Sequence, residues 1–479
     1  MIMMDRLGTI GTLAMACAAI CTIHAAHAQS VNIAAPEAPK TMAEYGDDLL
    51  PRDDKSRADL LKSTAFDATI YGMAAYLQYE QLYRQVFDRS ASNYTGYNRF
   101  YHERDLAGPD YATFKVPNTD TLYSTAWIDL SKGPVEIDIP ATALKYYTLN
   151  IFDIFGTPTN LSSRTIGFEG GRFLLVPPHW TGSPPPGMTV YRAATVQLWI
   201  LMRSFAQSEK EVITARAFQN GVKIIPPVAA AASAIPSLPA PAPSPGATGF
   251  LRVLDYVVRV NGTLAGEDAL VARFRPLGVL GSKPFDDAAF DQVALAAVDS
   301  GYKDAVALLT TSKAQLGMPT GSGWMKVDKG EYGFNYVRRS VTNTAGLGAN
   351  VREENASYTA FADGTGKPLD GATSSYKLHL TTPPPVNAFW SVTLYDATTF
   401  ALYPNALKRY LISDRTPGLK VGADGSIDIT IQHEKSTKAN WLPAPSGPFF
   451  VVMRAYSPKN AMLNGQWLPP AISRADPLG

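Results

Sequence analysis

Tyr146-Tyr-Thr-Leu-Asn-Ile-Phe-Asp153 and Phe389-Trp-Ser-Val-Thr-Leu-Tyr-Asp396 share one pattern: two aromatics, a hydroxyl, aliphatics, an aromatic and a closing Asp. Downstream of each, Leu201-Met-Arg-Ser-Phe205 matches Val452-Met-Arg-Ala-Tyr456 at nearly the same interval. Period-two alternation of this kind marks a strand with one face in a core. Two matches in the same order and spacing point to a duplicated β-sandwich. The expected fold is therefore α+β and β-rich, with two jelly-roll-like sandwich parts and helices before and between them. An Arg among Leu, Met, Phe and Val needs a partner, because an unpaired buried charge is very costly. For Arg203 and Arg454 the repeated Asp is one candidate partner and loop carbonyls are another.

Outward from these strands the period changes. Leu60, Leu61, Ala65, Ala68, Tyr71 and Ala75 recur at helical spacing and predict a helix over 54–88. Strand patterns then run from Thr121 to Phe205, so residues 54–205 read as a helix followed by the first sandwich. Ser208 and Glu211 form a capping box that opens a helix. Three more helical stretches follow, within a connection over 206–323 that contains a Pro/Ala-rich linker at 225–247. From Trp324 the strand pattern returns and is expected to hold to the C-terminus, so residues 324–479 read as the second sandwich.

Residues 1–28 have the form of a secretory signal peptide: Arg6, an uncharged run from Leu7 to Ile23, and Ala26-His27-Ala28 ahead of Gln29. Residues 29–53 read as an extension. Both cysteines, Cys17 and Cys21, fall inside the leader, so a mature chain starting at Gln29 has no disulfide or thiolate chemistry. The periplasm, or secretion, is the expected location, with no transmembrane anchor. Lys plus Arg number 43 against 42 Asp plus Glu, which leaves no basic stripe for nucleic acid. Homo-oligomerisation is left open.

Two groups of motifs carry a family resemblance. Asn98-Arg-Phe-Tyr-His-Glu-Arg104, Val116-Pro-Asn-Thr-Asp-Thr-Leu-Tyr-Ser124 and Trp127-Ile-Asp-Leu130 resemble the bacterial family catalogued as domain of unknown function 1254. Gly346-Leu-Gly-Ala-Asn350, Pro384-Pro-Val-Asn-Ala-Phe-Trp-Ser391, Asp424-Gly-Ser426, Asn440-Trp-Leu-Pro-Ala-Pro445 and Trp467-Leu-Pro-Pro470 resemble its companion, domain of unknown function 1214. The resemblance implies two β-sandwich parts with helices and brings no reaction with it.

No G-x-S-x-G elbow, P-loop, H-E-x-x-H or C-x-x-C is present, and no cofactor or metal is expected. The polar span from Asn98 to Asp129 is the candidate site. His102, Asp120 and Tyr123 are its candidate catalytic groups, with His102 as general acid or base. Arg104, Asn118 and Trp127 are its candidate ligand contacts, Arg104 by bidentate grip on a carboxylate or phosphate. The structural alternative is that Asn118 and Asp120 build the turn after Pro117 while His102 ties down a loop. His102, Arg104, Asn118, Asp120 and Tyr123 are expected to converge on one concave pocket with Trp127 close by, and the crowding of ionisable groups before Asp129 favours an exported hydrolase or lyase acting on a small or oligomeric polar substrate. The competing reading is a non-enzymatic binding or envelope-associated protein with a small-molecule or oligosaccharide-like ligand.

Overall fold

The computed structural model describes residues 51–475, apart from 112–114, 228–237, 239, 243, 282 and 331. The expected leader, nearly all of the N-terminal extension and the middle of the Pro/Ala-rich linker lie outside the described residues. In the later part of that linker, the Tyr79 hydroxyl accepts from the Leu238 amide and the Tyr76 hydroxyl donates to the Ala242 carbonyl, which ties those residues to the first helix.

The first half contains strands β1 (Tyr101–His102), β2 (Thr121–Asp129), β3 (Val135–Ile139), β4 (Tyr147–Asp153), β5 (Pro158–Ser162), β6 (Gly171–Val176), β7 (Met188–Arg192), β8 (Gln197–Phe205) and β9 (Lys223–Ile225). The second contains β10 (Met318–Pro319), β11 (Met325–Lys326), β12 (Asn355–Ala360), β13 (Ser375–Leu380), β14 (Trp390–Asp396), β15 (Leu411–Ser413), β16 (Ile427–Gln432), β17 (Trp441–Pro443), β18 (Phe449–Tyr456) and β19 (Ile472–Ala475). The first half forms sheets in the orders β1-β2-β8-β4-β5 and β7-β6-β3-β9, and the second β10-β11-β12-β18-β14-β15 and β17-β16-β13-β19. The fold is α+β and β-rich, with two sheets in each half.

Strand by strand, β2 to β8 correspond to β12 to β18. The agreement extends to the unusual parallel pairs, β6 with β7 and β16 with β17. It extends to register as well: Thr148 pairs with Arg203 as Ser391 pairs with Arg454, and Asp153 meets Leu198 as Asp396 meets Phe449. In each half one face of the larger sheet packs on the smaller sheet. Leu122, Ile128, Leu149, Ile200 and Met202 enclose one core with Ile137 and Phe173, and Tyr358, Val392, Leu394 and Met453 enclose the other with Leu378 and Ile429.

The opposite face of the first large sheet carries aromatics at one end and polar groups at the other. Trp127, Phe152 and Trp199 pack under a helical layer. That layer comprises α1 (Asp54–Leu82), α3 (Gly246–Asn261), α4 (Asp268–Ala272) and α5 (Gln292–Lys313), while α2 (Glu209–Gly221) lies against the sandwich itself through Ala215 and Phe218. The first helix begins where Asp53 accepts from the Ser56 amide, and α5 crosses it so closely that a Cβ on Gly301 would sit 2.1 Å from the Lys62 carbonyl. The Ser208–Glu211 capping box forms as the spacing implies, Ser208 Oγ accepting from the Glu211 amide.

One expectation is corrected. Strand does not run unbroken after Trp324, because Tyr336–Ala345 is a helix, α6, capped by Asn335. Its Tyr, Val and Thr residues favour strand locally. Tertiary packing overrides that preference: Arg339 is buried against Glu267 at 3.0 Å and lies over the Tyr71 and Tyr336 rings. A short α7 (Asn460–Leu463) follows β18.

Candidate functional site

The polar end of the first large sheet faces the corresponding surface of the second. Between them four aromatics, Tyr146, Phe205, Phe389 and Tyr456, form a buried cluster. Tyr146 is the counterpart of Phe389 and Phe205 that of Tyr456, so equivalent residues of the two halves pack on one another. Glu354, fully buried, accepts from the hydroxyls of Tyr146 (2.9 Å) and Ser162 (2.6 Å) and from Arg164 Nε (2.7 Å), which clamps the start of β12 to the first half.

Beside this cluster lie Arg203 and Arg454. Neither pairs with the repeated Asp. Asp153 instead holds its own turn by accepting from the Phe155 and Thr157 amides, and Asp396 does the same for Thr398 and Thr399. The arginines bind loop carbonyls, each from the other half. Arg203 Nη2 donates to the Gly348 carbonyl at 2.8 Å, and Arg454 donates to the Val116 carbonyl at 3.1 Å and the Tyr395 hydroxyl at 2.8 Å. Tyr395 in turn donates to the Pro117 carbonyl at 2.7 Å. Both loops use left-handed backbone, which glycine adopts freely and which strains a β-branched residue. Gly348 has φ +81°, and Val116, a β-branched residue, has φ 54°.

Val116-Pro-Asn-Thr-Asp120 thus lies against the second half as Gly346-Leu-Gly-Ala-Asn350 lies against the first. Residues 97–226 match the family described as "Protein of unknown function (DUF1254)", and residues 354–460 that described as "Protein of unknown function (DUF1214)". The polar cluster therefore lies where the DUF1254 and DUF1214 regions meet. No curated protein matches the chain. Among solved structures, the crystal structure of the VPA0106 protein from Vibrio parahaemolyticus aligns with a TM-score of 0.67 at 22% identity, over 87% of this chain and 100% of that one. That likeness is one of fold. An uncharacterised protein from Burkholderia cenocepacia aligns at a TM-score of 0.43 and 12% identity, over 91% of this chain and 92% of that one.

Within the DUF1254 region the sequence-derived candidates divide into three places. Asn118, Asp120 and Tyr123 join the inter-sandwich cluster. The Asn118 amide group donates to the Tyr456 hydroxyl, and its backbone amide donates to the Tyr123 hydroxyl at 3.3 Å. Tyr123 lies opposite Arg203 in the sheet, with the guanidinium 5.6 Å from its ring centre. Asp120 is fully buried; neither carboxyl oxygen finds a hydrogen bond of good geometry, although the unsatisfied Ser391 hydroxyl lies beside it. Burial pushes its carboxyl up to about 6, against the opposing pull of Ser391 and Arg454.

His102 and Arg104 are elsewhere. His102 pairs with Ser124, and period two puts Ser124 on the opposite sheet face from Tyr123. Its Nδ1 lies 2.8 Å from the Ser124 hydroxyl, which also accepts from Gln219 on α2. Burial, followed by Arg104 and Lys223, pushes the ring down to about 4, so it is neutral at physiological pH. Arg104 donates to Gln219 and Asn220, and the two residues line a surface cleft of about 460 Å³ with Lys223. Trp127 is in a third place, fully buried under the helices and stacked on Trp199 at 6.2 Å.

Sequence reading gave no role to Lys329, on the loop between β11 and α6. Burial, then Arg454 and Arg203, pushes its amine down to about 8, so both guanidiniums are within electrostatic reach of it. Lys329, Arg203 and Arg454 each keep some accessible surface, whereas Leu201, Phe205, Val452 and Tyr456, on the same strand faces as the arginines, are closed off. No local signal marks Lys329 in the sequence, because its surroundings come from both halves.

Proposed function

We propose that the protein binds a small anionic molecule, carrying a carboxylate or phosphate, between its two sandwiches, with Arg203, Arg454 and Lys329 as the holding groups. One observation carries this reading: three cations converge there, and among the described residues none has an ion-pair partner. Asp120 bears on Arg454, and the charged groups that bear on Lys329 are the two arginines. Confined like charges repel, so an arriving anion removes a penalty as well as gaining charge-assisted hydrogen bonds. Arg203 Nη1 is buried without a partner and offers such a bond at once. The strained Val116 fits the same reading, since backbone strain is concentrated at ligand sites.

The reading keeps Asn118, Asp120 and Tyr123 as site residues and leaves His102 and Arg104 outside. The matching strand orders support an origin of the two halves by duplication, with a site at their shared boundary. The leader-like residues 1–28 support action in the periplasm or outside the cell. The test is a thermal-shift panel of dicarboxylates, oxo acids, sugar phosphates and neutral sugars. A ligand at a hundred times its Kd stabilises by about 2.7 kcal/mol. Anions should raise Tm in the parent and much less in an Arg203→Met, Lys329→Met double variant. Equal shifts with neutral sugars, or anion shifts unchanged in the double variant, would end the proposal.

A further inference from the structure

We propose that the surface cleft beside β1 is a second ligand site, in which Arg99, Arg104 and Lys223 hold a phosphomonoester group and the His102 ring adds a hydrogen bond. It is distinct from the inter-sandwich cluster, since pairing with Ser124 puts His102 on the other face of the sheet from Tyr123 and Arg203. The loop ahead of β1, β1 itself and the junction of α2 with β9 enclose about 460 Å³, lined by Arg99, Phe100, His102, Arg104, Asn220 and Lys223 among others. That volume is within the range of small-molecule sites and exceeds a phosphate group alone, so the phosphoryl group comes with a larger body attached.

Contacts hold two of the cations together. Asn220 is the hub: its side-chain oxygen accepts from Arg104 Nη2 at 2.7 Å, and its backbone carbonyl accepts from Lys223 Nζ at 2.5 Å. Arg104 Nη1 donates to Gln219 Oε1 at 3.3 Å. All three acceptors are uncharged, so they position the cations without neutralising them. The C-terminal end of α2 supplies about half a negative charge, which falls well short of three cations. Among the described residues Arg99, Arg104 and Lys223 form no ion pair, and no carboxylate lines the cleft. Asp138 lies opposite Lys223 in the β3–β9 pairing and makes no ion pair with it. Neighbouring arginines are treated otherwise: Arg216 on α2 is paired with Asp105 at 2.7 Å, and Arg172 on β6 with Glu136 at 2.6 Å.

His102 adds a neutral donor. The Ser124 hydroxyl accepts from Gln219 Nε2 at 3.0 Å and lies 2.8 Å from His102 Nδ1. Among the described residues that ring nitrogen is the one acceptor for the hydroxyl proton, so Nδ1 accepts and Nε2 carries the ring proton. The ring is half-buried and stacked on Phe100 at 5.4 Å, and its Nε2–H has no partner among the described residues. Guanidinium and ammonium groups bind phosphate through charge-assisted hydrogen bonds. A phosphomonoester carries about −1.5 to −2 near pH 7, which three cations match better than they match a single carboxylate.

Glycerol 3-phosphate and succinate are titrated into the full chain at pH 7.5 by calorimetry. In parallel, NMR of isotope-labelled histidine follows His102, whose signal is identified through His102→Gln. Glycerol 3-phosphate should bind, and the bound anion should make the His102 ring titrate at higher pH, because it stabilises the imidazolium. Arg99→Met combined with Lys223→Met, both at exposed positions, should leave Tm nearly unchanged and weaken binding about tenfold or more. Arg203→Met should leave the His102 response intact, which separates this site from the inter-sandwich one. Vesicles of phosphatidic acid, set against phosphatidylcholine, distinguish the source of the group. Capture that the double variant loses assigns it to a lipid, and binding of glycerol 3-phosphate alone assigns it to a soluble molecule. If neither phosphomonoester moves the His102 signal, or if Arg203→Met abolishes the response, the inference fails. It fails equally if succinate moves His102 as far as glycerol 3-phosphate does.

Discussion

Arg203 and Arg454 hold the same register position in their two sheets, opposite Thr148 and Ser391, and each donates to a loop carbonyl from the other half of the chain. The halves are thus interlocked through their charged residues as well as through the aromatic cluster. Neither arginine forms an ion pair among the described residues, and Arg203 Nη1 is buried without a hydrogen-bond partner. A surface built this way favours an anion whatever reaction follows.

Glu354 tests the interlock. Glu354→Ala leaves the Tyr146 and Ser162 hydroxyls and Arg164 without their shared acceptor. The expected loss is about 3–5 kcal/mol, toward the lower end because the Arg164 side chain is 36% exposed. Urea denaturation measures it, and Glu354→Gln should recover part. A loss under about 1 kcal/mol would mean that the clamp contributes nothing to holding the halves together.

Gly348 tests the positioning of Arg203. A Cβ there would meet Leu201 Cδ2 at 2.7 Å, and the residue has φ +81°. Gly348→Ala should destabilise by about 1–3 kcal/mol and displace the carbonyl that Arg203 binds. Anion-induced thermal shifts should shrink in parallel; undiminished shifts would separate Gly348 from the site.

Asp120 carries a pH signature. Its folded carboxyl titrates at about 6, above the unfolded value, so folding favours the neutral acid. Stability is therefore lost as pH rises from about 4 to about 6 and stays lower above that. Asp120→Asn should remove this loss and gain about 1–2 kcal/mol at pH 7.5. Asp153, raised to about 6 by burial, keeps a similar dependence in the variant. An Asp120→Asn protein less stable than the parent at pH 7.5 would show that the charge on Arg454 dominates.

His102 has the opposite sign. Its folded ring titrates at about 4, below the unfolded value, so the unfolded chain binds the proton first. Stability is complete above about pH 6.5 and falls as pH drops toward 4. His102→Ala should flatten that decline and cost about 1–3 kcal/mol at neutral pH through the lost Ser124 contact. Anion binding between the sandwiches should be unchanged, and a large change would return His102 to the site.

The alternation in Tyr146–Asp153 and Phe389–Asp396 is visible in the chain because each strand has one face in a core, and burial writes period two directly into residue choice. The Ser208–Glu211 cap is equally local. The same local logic misjudges α6, whose Tyr, Val and Thr read as strand until Arg339 meets Glu267. It also gathers His102 with Asp120 and Tyr123, since all three share a short polar span. Pairing with Ser124 sends His102 to the other face of the sheet, a consequence of register that no composition records. Lys329 is furthest from being legible. A loop lysine is ordinarily solvated, and what makes this one unusual is an arginine from each of two distant strands. Burial and Coulomb forces depend on distance in space, so they come into being only when the two sandwiches close on one another.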